Sequence, residues 1–214
     1  MKTSIYLALI LLINCSCKSE KPAEFDLSDI NFKETIGQAL KGTSLPVKGG
    51  KTTSWTLAQY DIFESADPKV MKFNGVDLSG KLGDSVNRVI IHYSRKDSTI
   101  SFVELKVFSE PQVKALAAAL DQKLGKAPYP GDAYTTVFSE NVQYFNRVWI
   151  DPKTTIGHFF TDAMSKEKHE EARLAILNYS NSQVSELASL KGYSSSINLD
   201  VREASKLLPT ANKK

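Results

Sequence analysis

The stretch that decides the fold is Asn87–Val107, which reads NRVIIHYSRKDSTISFVELKV. Every second residue is apolar on both sides of its polar middle, Arg95–Ser98: Val89, Ile91 and Tyr93 before it, and Val103, Leu105 and Val107 after it. Successive side chains of a β-strand point to opposite faces, so the alternation places each apolar set on one side. The stretch therefore predicts a β-hairpin with one buried face.

An amphipathic helix is predicted directly after this hairpin. Ser109 stands three residues before Gln112, which is the spacing of a capping box. The apolar residues that share one helical stripe are Val113, Leu116, Ala117, Leu120 and Leu124. Gly125 suits the left-handed position that follows a helix, and Pro128 and Pro130 prevent the helix from continuing.

The segments before the hairpin are less regular. Asp26–Leu40 has apolar residues at helical spacing and predicts a helix, with Ser28 or Asp29 as its N-cap. Thr56–Phe63 and Val70–Val76 predict strands, although their alternation is imperfect.

A second hairpin and helix follow the first with similar letters. Asn146–Ile150 (NRVWI) matches Asn87–Ile91 (NRVII), and Gln183–Leu190 repeats the apolar spacing of the first helix. Two interpretations stay open. One is an internal duplication, with units 87–126 and 146–192. The other is two unrelated units that look alike because any amphipathic hairpin and helix need such patterns.

Three further segments of the second unit have clear patterns. Asp151–Lys153 predicts a tight turn, and Ala172–Asn178 predicts a strand. The charged segment Ser165–Glu171 (SKEKHEE) predicts a loop at a solvent-exposed tip.

The N-terminus predicts export. Lys2 is followed by the apolar run Ile5–Ile13, which is shorter than the roughly 20 residues that a membrane-spanning helix needs. This composition is typical of a cleaved signal peptide. A cysteine that closes such a segment resembles the lipobox of bacterial lipoproteins, in which that cysteine is lipidated and begins the mature protein. The resemblance implies lipidation at Cys17, which follows Ser16, with Cys15 as the alternative.

The elements together predict an α+β fold, in which amphipathic helices cover one face of an antiparallel β-sheet. We expect a signal peptide over residues 1–16, a tether over 17–25, a single α+β domain over 26–193 and a C-terminal segment over 194–214. In outline this is similar to small envelope lipoproteins that pack helices on a short meander of strands.

Charge and cysteine content exclude several classes of function. The chain has 27 basic and 24 acidic residues, a formal net charge of +3, and the two signs are interspersed. Nucleic-acid binding usually requires a basic stripe, so no nucleic-acid partner is predicted. No cysteine lies beyond Cys17, so we predict neither a disulfide nor a thiolate metal site in the domain.

The common catalytic motifs are missing from the sequence. It contains no G-x-S-x-G, no H-E-x-x-H, no glycine-rich phosphate loop and no calcium loop. His92 and His158 fall in predicted strands and could meet across a sheet to hold a metal, but two ordinary sheet-face histidines are the favoured interpretation. His169 lies in the charged loop. We therefore predict no catalytic residue, no metal site and no cofactor.

Aromatic residues gather around the second hairpin: Phe138, Tyr144, Phe145, Trp149, Phe159 and Phe160. At strand spacing such residues usually form a core, and the alternative is an exposed face that grips a partner. Tyr144 and Trp149 are the candidates for that binding face.

These patterns favour a non-enzymatic cell-envelope protein that a lipid holds at the membrane and that binds a protein partner. Two alternatives remain. The first is an inhibitor or immunity-type protein, for which the loop Ser165–Glu171 is the candidate contact. The second is a metal enzyme built around His92 and His158.

Overall fold

The computed structural model describes residues 24–47, 59–127, 129–137, 140–165 and 168–181, with the backbone alone described for 129–137, 140–144, 165 and 168–170. The predicted signal peptide, Cys15, Cys17, most of the tether, the helix Gln183–Leu190 and the C-terminal segment lie outside the described residues.

The described residues form two α-helices, eleven β-strands and two short 3-10 turns. The helices are α1 (Ile36–Ala39) and α2 (Glu110–Leu124), and the 3-10 turns are Leu27–Asp29 and Pro68–Val70. The strands are β1 (Tyr60–Ser65), β2 (Lys72–Phe73), β3 (Val76–Asp77), β4 (Lys81–Leu82), β5 (Ser85–Val86), β6 (Arg88–Ser94), β7 (Ile100–Val107), β8 (Tyr129–Val137), β9 (Glu140–Asp151), β10 (Ile156–Ser165) and β11 (Lys168–Asn178).

Seven of these strands make one antiparallel sheet, in the order β1-β6-β7-β11-β10-β9-β8. After the β6–β7 hairpin, α2 carries the chain to the far edge, where β8 begins. The strands β8 to β11 then run back as a meander until β11 pairs with β7. The predicted antiparallel sheet is confirmed.

The β6–β7 hairpin is also confirmed, and its register explains the alternation in the sequence. Val89 lies opposite Leu105, and Ile91 lies opposite Val103. Their face of the sheet, the first face, contributes buried residues from six strands: Phe63, Val89, Ile91, Val103, Leu105, Val107, Ala172, Leu174, Ile176, Phe160 and Trp149. The buried residues of α2 belong to the same apolar cluster.

The second face of the sheet is buried too, which the simple alternation did not predict. Its buried residues include Ile90, His92, Phe102, Glu104, Ala175, Leu177, Phe159, Val148, Ile150 and Thr161. Strands buried on both sides read as runs of apolar residues, and Val89–Ile91 and Leu174–Leu177 do so.

The helix predicted over Asp26–Leu40 is wrong. Asp26 caps the first 3-10 turn, and Phe32 has a φ of 60°, which a right-handed helix cannot contain. Thr35 then opens the four-residue α1 through a capping box with Gln38. The apolar residues of the segment are still buried in the core. Their spacing therefore correctly indicated which residues are buried, but not a continuous helix.

The helix predicted after the hairpin is confirmed as α2, but its capping box is wrong. The side chain of Ser109 makes no cap hydrogen bond, because its Oγ accepts a hydrogen bond from Nδ2 of Asn87 at 2.9 Å. Gly125 follows the helix with a φ of 79°, as expected for the residue that ends it.

The region after α2 departs from the prediction in two places. β8 was not predicted, since Pro128 and Pro130 were interpreted only as ending the helix. β8 is an edge strand, where Pro130 is tolerated. The charged loop was predicted over Ser165–Glu171, but β10 extends to Ser165 and β11 begins at Lys168. The predicted turn at Asp151–Lys153 and the strand at Ala172–Asn178 are confirmed.

Candidate functional site

A small exposed hairpin, Lys81–Val86, directly precedes Asn87 and the start of β6. We call it the finger. It consists of β4 and β5, in which Lys81 pairs with Val86 and Leu82 pairs with Ser85. All six residues are exposed, including Leu82 at 52% and Val86 at 42%. Large apolar side chains are thus held in solvent at this point.

The turn of the finger explains its compact shape. Gly83 has a φ of 56° and stands first in the two-residue loop Gly83–Asp84. A glycine with positive φ at that position is the requirement of a type II′ turn, whose twist matches that of the flanking strands. A two-stranded hairpin of this length is marginal by itself, so its stability must come from its base.

Asn87 anchors the base of the finger from a fully buried position. Its Nδ2 donates to the carbonyl of Leu78 and to Oγ of Ser109, both at 2.9 Å. Its Oδ1 accepts from the backbone N–H of Phe108 at 2.8 Å, and its own N–H donates to the carbonyl of Gly80. The side chain of Asn87 therefore joins Leu78, which precedes the finger, to the start of α2, and its backbone N–H closes the base of the finger at Gly80.

Gly80 completes the anchor because it allows a close approach. A Cβ atom at this position would lie 2.8 Å from Oγ of Ser109 and 3.1 Å from Nδ2 of Asn87. Any larger residue would force the Ser109 hydroxyl or the Asn87 amide to move, and so would disturb the hydrogen bond between them. The finger is exposed at its tip and fixed at its base.

Each face of the finger carries one exposed apolar side chain. Because paired residues share a face, Val86 lies on one face of the finger and Leu82 on the other. Exposed apolar side chains on a rigid support lose little conformational entropy on binding, which favours protein recognition.

The predicted binding face at Tyr144 and Trp149 is not formed as expected. Trp149 is buried, at 4% exposure, and its indole N–H donates to the carbonyl of Gly125 at 2.8 Å. It therefore belongs to the core and fastens the end of α2 to β9. Tyr144 lies opposite Ala163 in the sheet, and its side chain is outside the described residues.

His92 and His158 do not come together. Their strands, β6 and β10, are separated by β7 and β11, a span of roughly 14 Å at the usual strand spacing. The register also places them on opposite faces, since His92 lies opposite Phe102 whereas His158 lies opposite Ile176. Within the described part of the chain, no group of three metal-ligating side chains forms.

Each of these histidines has its own surroundings. His92 is fully buried, with its Nε2 2.7 Å from Oε1 of Glu104 and its ring beside Phe102. His158 lies edge-on to the ring of Phe73, with the centroids 6.3 Å apart. Burial, assisted by the charge of Lys123, lowers the pKa of His158 to about 4. It is a partly buried histidine that is neutral at neutral pH. His169 lies in β11, and its side chain is outside the described residues.

The comparisons with known proteins found no relative. No protein-family model, no curated protein and no solved structure matches this chain. Among the described residues, no helix is long and apolar enough to cross a membrane.

Sequence reasoning missed the finger, although a signal for it was present. Gly83–Asp84 between two short segments is a recognised hairpin turn. The strands are only two residues long, too short for alternation to show. The exposure of Leu82 could not be read from the sequence, because the sequence does not show whether another segment packs over an apolar residue beside a turn.

Proposed function

We propose that this protein is a lipid-anchored, non-enzymatic protein of the bacterial cell envelope that binds a protein partner through the finger. The observation that carries the proposal is the exposure of Leu82 and Val86 on a hairpin whose base is held by the buried Asn87. The lipid anchor rests on the resemblance of the N-terminus to a lipobox, with Cys17 as the lipidated residue.

The tether limits where such a finger could act. From Cys17 to Glu24, an extended chain spans at most roughly 25 Å. Glu24 forms an ion pair with Lys72, so the described domain starts beside β2. A domain on so short a tether stays close to the membrane surface, and its partner must be a membrane protein or one that reaches the membrane.

The same proposal includes the finer form of the fold, an α+β domain with α2 on the first face and two related units, 87–126 and 146–192. The shared apolar cluster of α2 and the first face supports the position of the helix. The described part of the second unit has three strands, β9 to β11, against two in the first, so the duplication stays a prediction.

An inhibitor or immunity-type protein is the second candidate function. The two-sided apolar character of the finger favours it, because a projection with apolar residues on both faces fits a cleft and not a flat surface. A partner that is an enzyme, with the finger in its active-site cleft, would distinguish this function from assembly.

The test is photocrosslinking from the finger in the native envelope. A photoreactive amino acid replaces Ser85, which is exposed, and crosslinked products are identified by mass spectrometry. We expect one dominant partner, and we expect Leu82→Asp to abolish the crosslink. Val47→Asp is the matched control, because Val47 is also an exposed apolar residue, at 40%, outside the finger.

Two results would contradict the proposal. The first is an equal crosslink yield for Leu82→Asp and Val47→Asp, which would remove the finger from the contact. The second is recovery of the protein alone. The anchor is tested separately, since Cys17→Ala should release the protein from membranes, whereas retention of that variant and release of Cys15→Ala would identify Cys15 as the lipidated residue.

A further inference from the structure

The second face of the sheet is covered, although α2 packs on the first. Phe102 in β7 and Leu177 in β11 lie near the middle of the second face, and neither has any exposed surface. The sheet is open, with β1 and β8 as its edges, so its strands do not enclose this face themselves. These exposures are those of a single chain, so another part of the same chain packs on the second face.

The described segments outside the seven-stranded sheet do not provide this cover. Their buried apolar residues, in 25–40, 70–78 and α2, all belong to the apolar cluster of the first face. The buried apolar residues that this cluster leaves out are sheet residues, and all of them lie on the second face, in β1, β6, β7, β9, β10 and β11. The cover therefore comes from a stretch outside the described residues.

Three such stretches are longer than two residues, and their positions select one of them. Residues 1–23 hold the predicted signal peptide and most of the tether. Residues 48–58 connect the exposed Val47 to β1, which is an edge strand. Residues 182–214 follow β11, the fourth of the seven strands, in which Leu177 lies on the second face. Only this last stretch begins at the middle of the sheet.

The sequence of residues 182–214 predicts two amphipathic helices. The first spans Gln183–Leu190 and the second Val201–Leu208, and each follows a residue suited to the N-cap, Ser182 or Asp200. Their apolar residues recur every three or four positions, as one helical stripe requires: Val184, Leu187 and Ala188, then Val201, Ala204 and Leu208. Gly192 and the serines after it are typical of the turn between two such helices.

Two helices of this length fit the second face. From β6 to β9 the face is five strands wide, roughly 19 Å at the usual strand spacing. A helix with its side chains is about 10 Å across, so two of them side by side span these strands. Eight helical residues are about 12 Å long and cover about four residues of each strand beneath them. The buried stretches Phe102–Glu104 and Ala175–Leu177 lie within that extent.

We propose that the second face is the docking surface for the chain's own C-terminal segment, residues 182–214, which packs its two apolar stripes across β6, β7, β11, β10 and β9. The same contact excludes water from the buried pair of His92 and Glu104. A face that the chain itself occupies is not available to a partner, so partner binding is left to other surfaces. The proposal does not depend on the role of the finger.

The test is photocrosslinking within the full chain, from the predicted stripe. Benzoylphenylalanine replaces Leu187, and mass spectrometry identifies the residue to which it becomes joined. We expect intramolecular products at second-face residues such as Leu177 and Phe102, and none at Ile176, the first-face neighbour of Leu177. The matched control is the same probe at Ser189, which is on the opposite side of the predicted helix and should give no product with the sheet.

Methyl NMR of Leu187→Asp gives an independent measurement, because the new carboxylate would lie in the proposed contact. The resonances of Leu177 should shift and become sensitive to a soluble paramagnetic probe, whereas those of Leu174, on the first face of the same strand, should not. Ser189→Asp, which adds the same charge on the other side of the helix, should leave both unchanged.

Four results would overturn the proposal. They are crosslinks to first-face residues, crosslinks that join two molecules, the absence of any intramolecular product from position 187, and unchanged Leu177 resonances in a folded Leu187→Asp variant. If Leu187→Asp does not fold, the crosslink map decides alone.

Discussion

Asn87→Ala offers the sharpest test of how the finger is held. The substitution removes a side chain that makes four hydrogen bonds: to the carbonyl of Leu78, to Oγ of Ser109, and from the N–H groups of Phe108 and Ser109. The first three are 2.8–2.9 Å long, and the last is weaker at 3.4 Å. At about 1 kcal/mol for each good bond in a buried site, we expect a loss of about 3 kcal/mol in the free energy of unfolding.

Urea denaturation measures this loss. The midpoint should fall while the slope with denaturant stays constant, because the fold remains and only its stability changes. The control is Asn31→Ala, since Asn31 makes one exposed hydrogen bond, to the N–H of Lys33, and should cost less than about 1 kcal/mol. In the Asn87→Ala variant, hydrogen exchange at the backbone N–H of residue 87, which donates to the carbonyl of Gly80, should also become faster.

One outcome would refute the reasoning about the anchor. If Asn87→Ala costs no more than Asn31→Ala, the polar groups around position 87 find other partners and the finger is not held by this side chain. The photocrosslinking yield from the finger, measured on the same variant, would then stay at its original level. A stable protein with a lost crosslink would instead show that the anchor serves binding alone.

The remaining predictions concern the core and its pH dependence. Leu116→Ala should cost about 2–5 kcal/mol in thermal or urea unfolding, because Leu116 has no exposed surface, and a loss near zero would exclude it from the core. Burial raises the pKa of Asp26, but the N–H groups of Gly75, Ser28 and Asn74 outweigh this effect and hold the pKa below 3.8. The stability that the Asp26 carboxylate contributes is therefore present above pH 3.8 and is lost as the pH falls through the folded-state pKa. Asp26→Asn should remove that part of the acid denaturation curve. Because the pKa of His158 is lowered in the folded state, the unfolded state takes up the proton first, and the free energy of unfolding should decline as the pH falls from about 6.5 towards 4. His158→Phe should flatten that decline. An imidazole that titrates near 6.5 by NMR would contradict the burial argument.

The sequence predicted correctly those elements in which every local signal favours the same secondary structure. The β6–β7 hairpin has alternation, a polar turn and β-branched residues, and the structure agrees with each. α2 has a helical stripe and a glycine at its end. The failure at Asp26–Leu40 has a different cause: Asp26 accepts hydrogen bonds from Asn74 and Gly75, which lie 48 and 49 residues further along the chain. A long-range partner of this kind cannot be seen in a window of neighbouring residues.

The same distinction applies to the candidate sites. Export, lipidation at Cys17 and the absence of common catalytic motifs are predictions that depend on the order of residues alone, and they stay predictions. The distance between His92 and His158 depends on strand order, because β7 and β11 lie between their strands. Their position on opposite faces depends on the register of the pairs β6–β7, β7–β11 and β10–β11. The burial of Trp149 likewise depends on where α2 ends.

The sequence by itself determined the β6–β7 hairpin, the long helix α2 and one apolar side of each, because these follow from the spacing of neighbours. Only the tertiary structure decided the order of strands, the exposure of Leu82 and the separation of His92 from His158. The physical reason is that burial and hydrogen bonding between distant segments are properties of the packed chain. In the sequence Asn87 only begins the hairpin stretch, and it becomes the anchor of the finger when its side chain bonds to Phe108 and Ser109 at the start of α2.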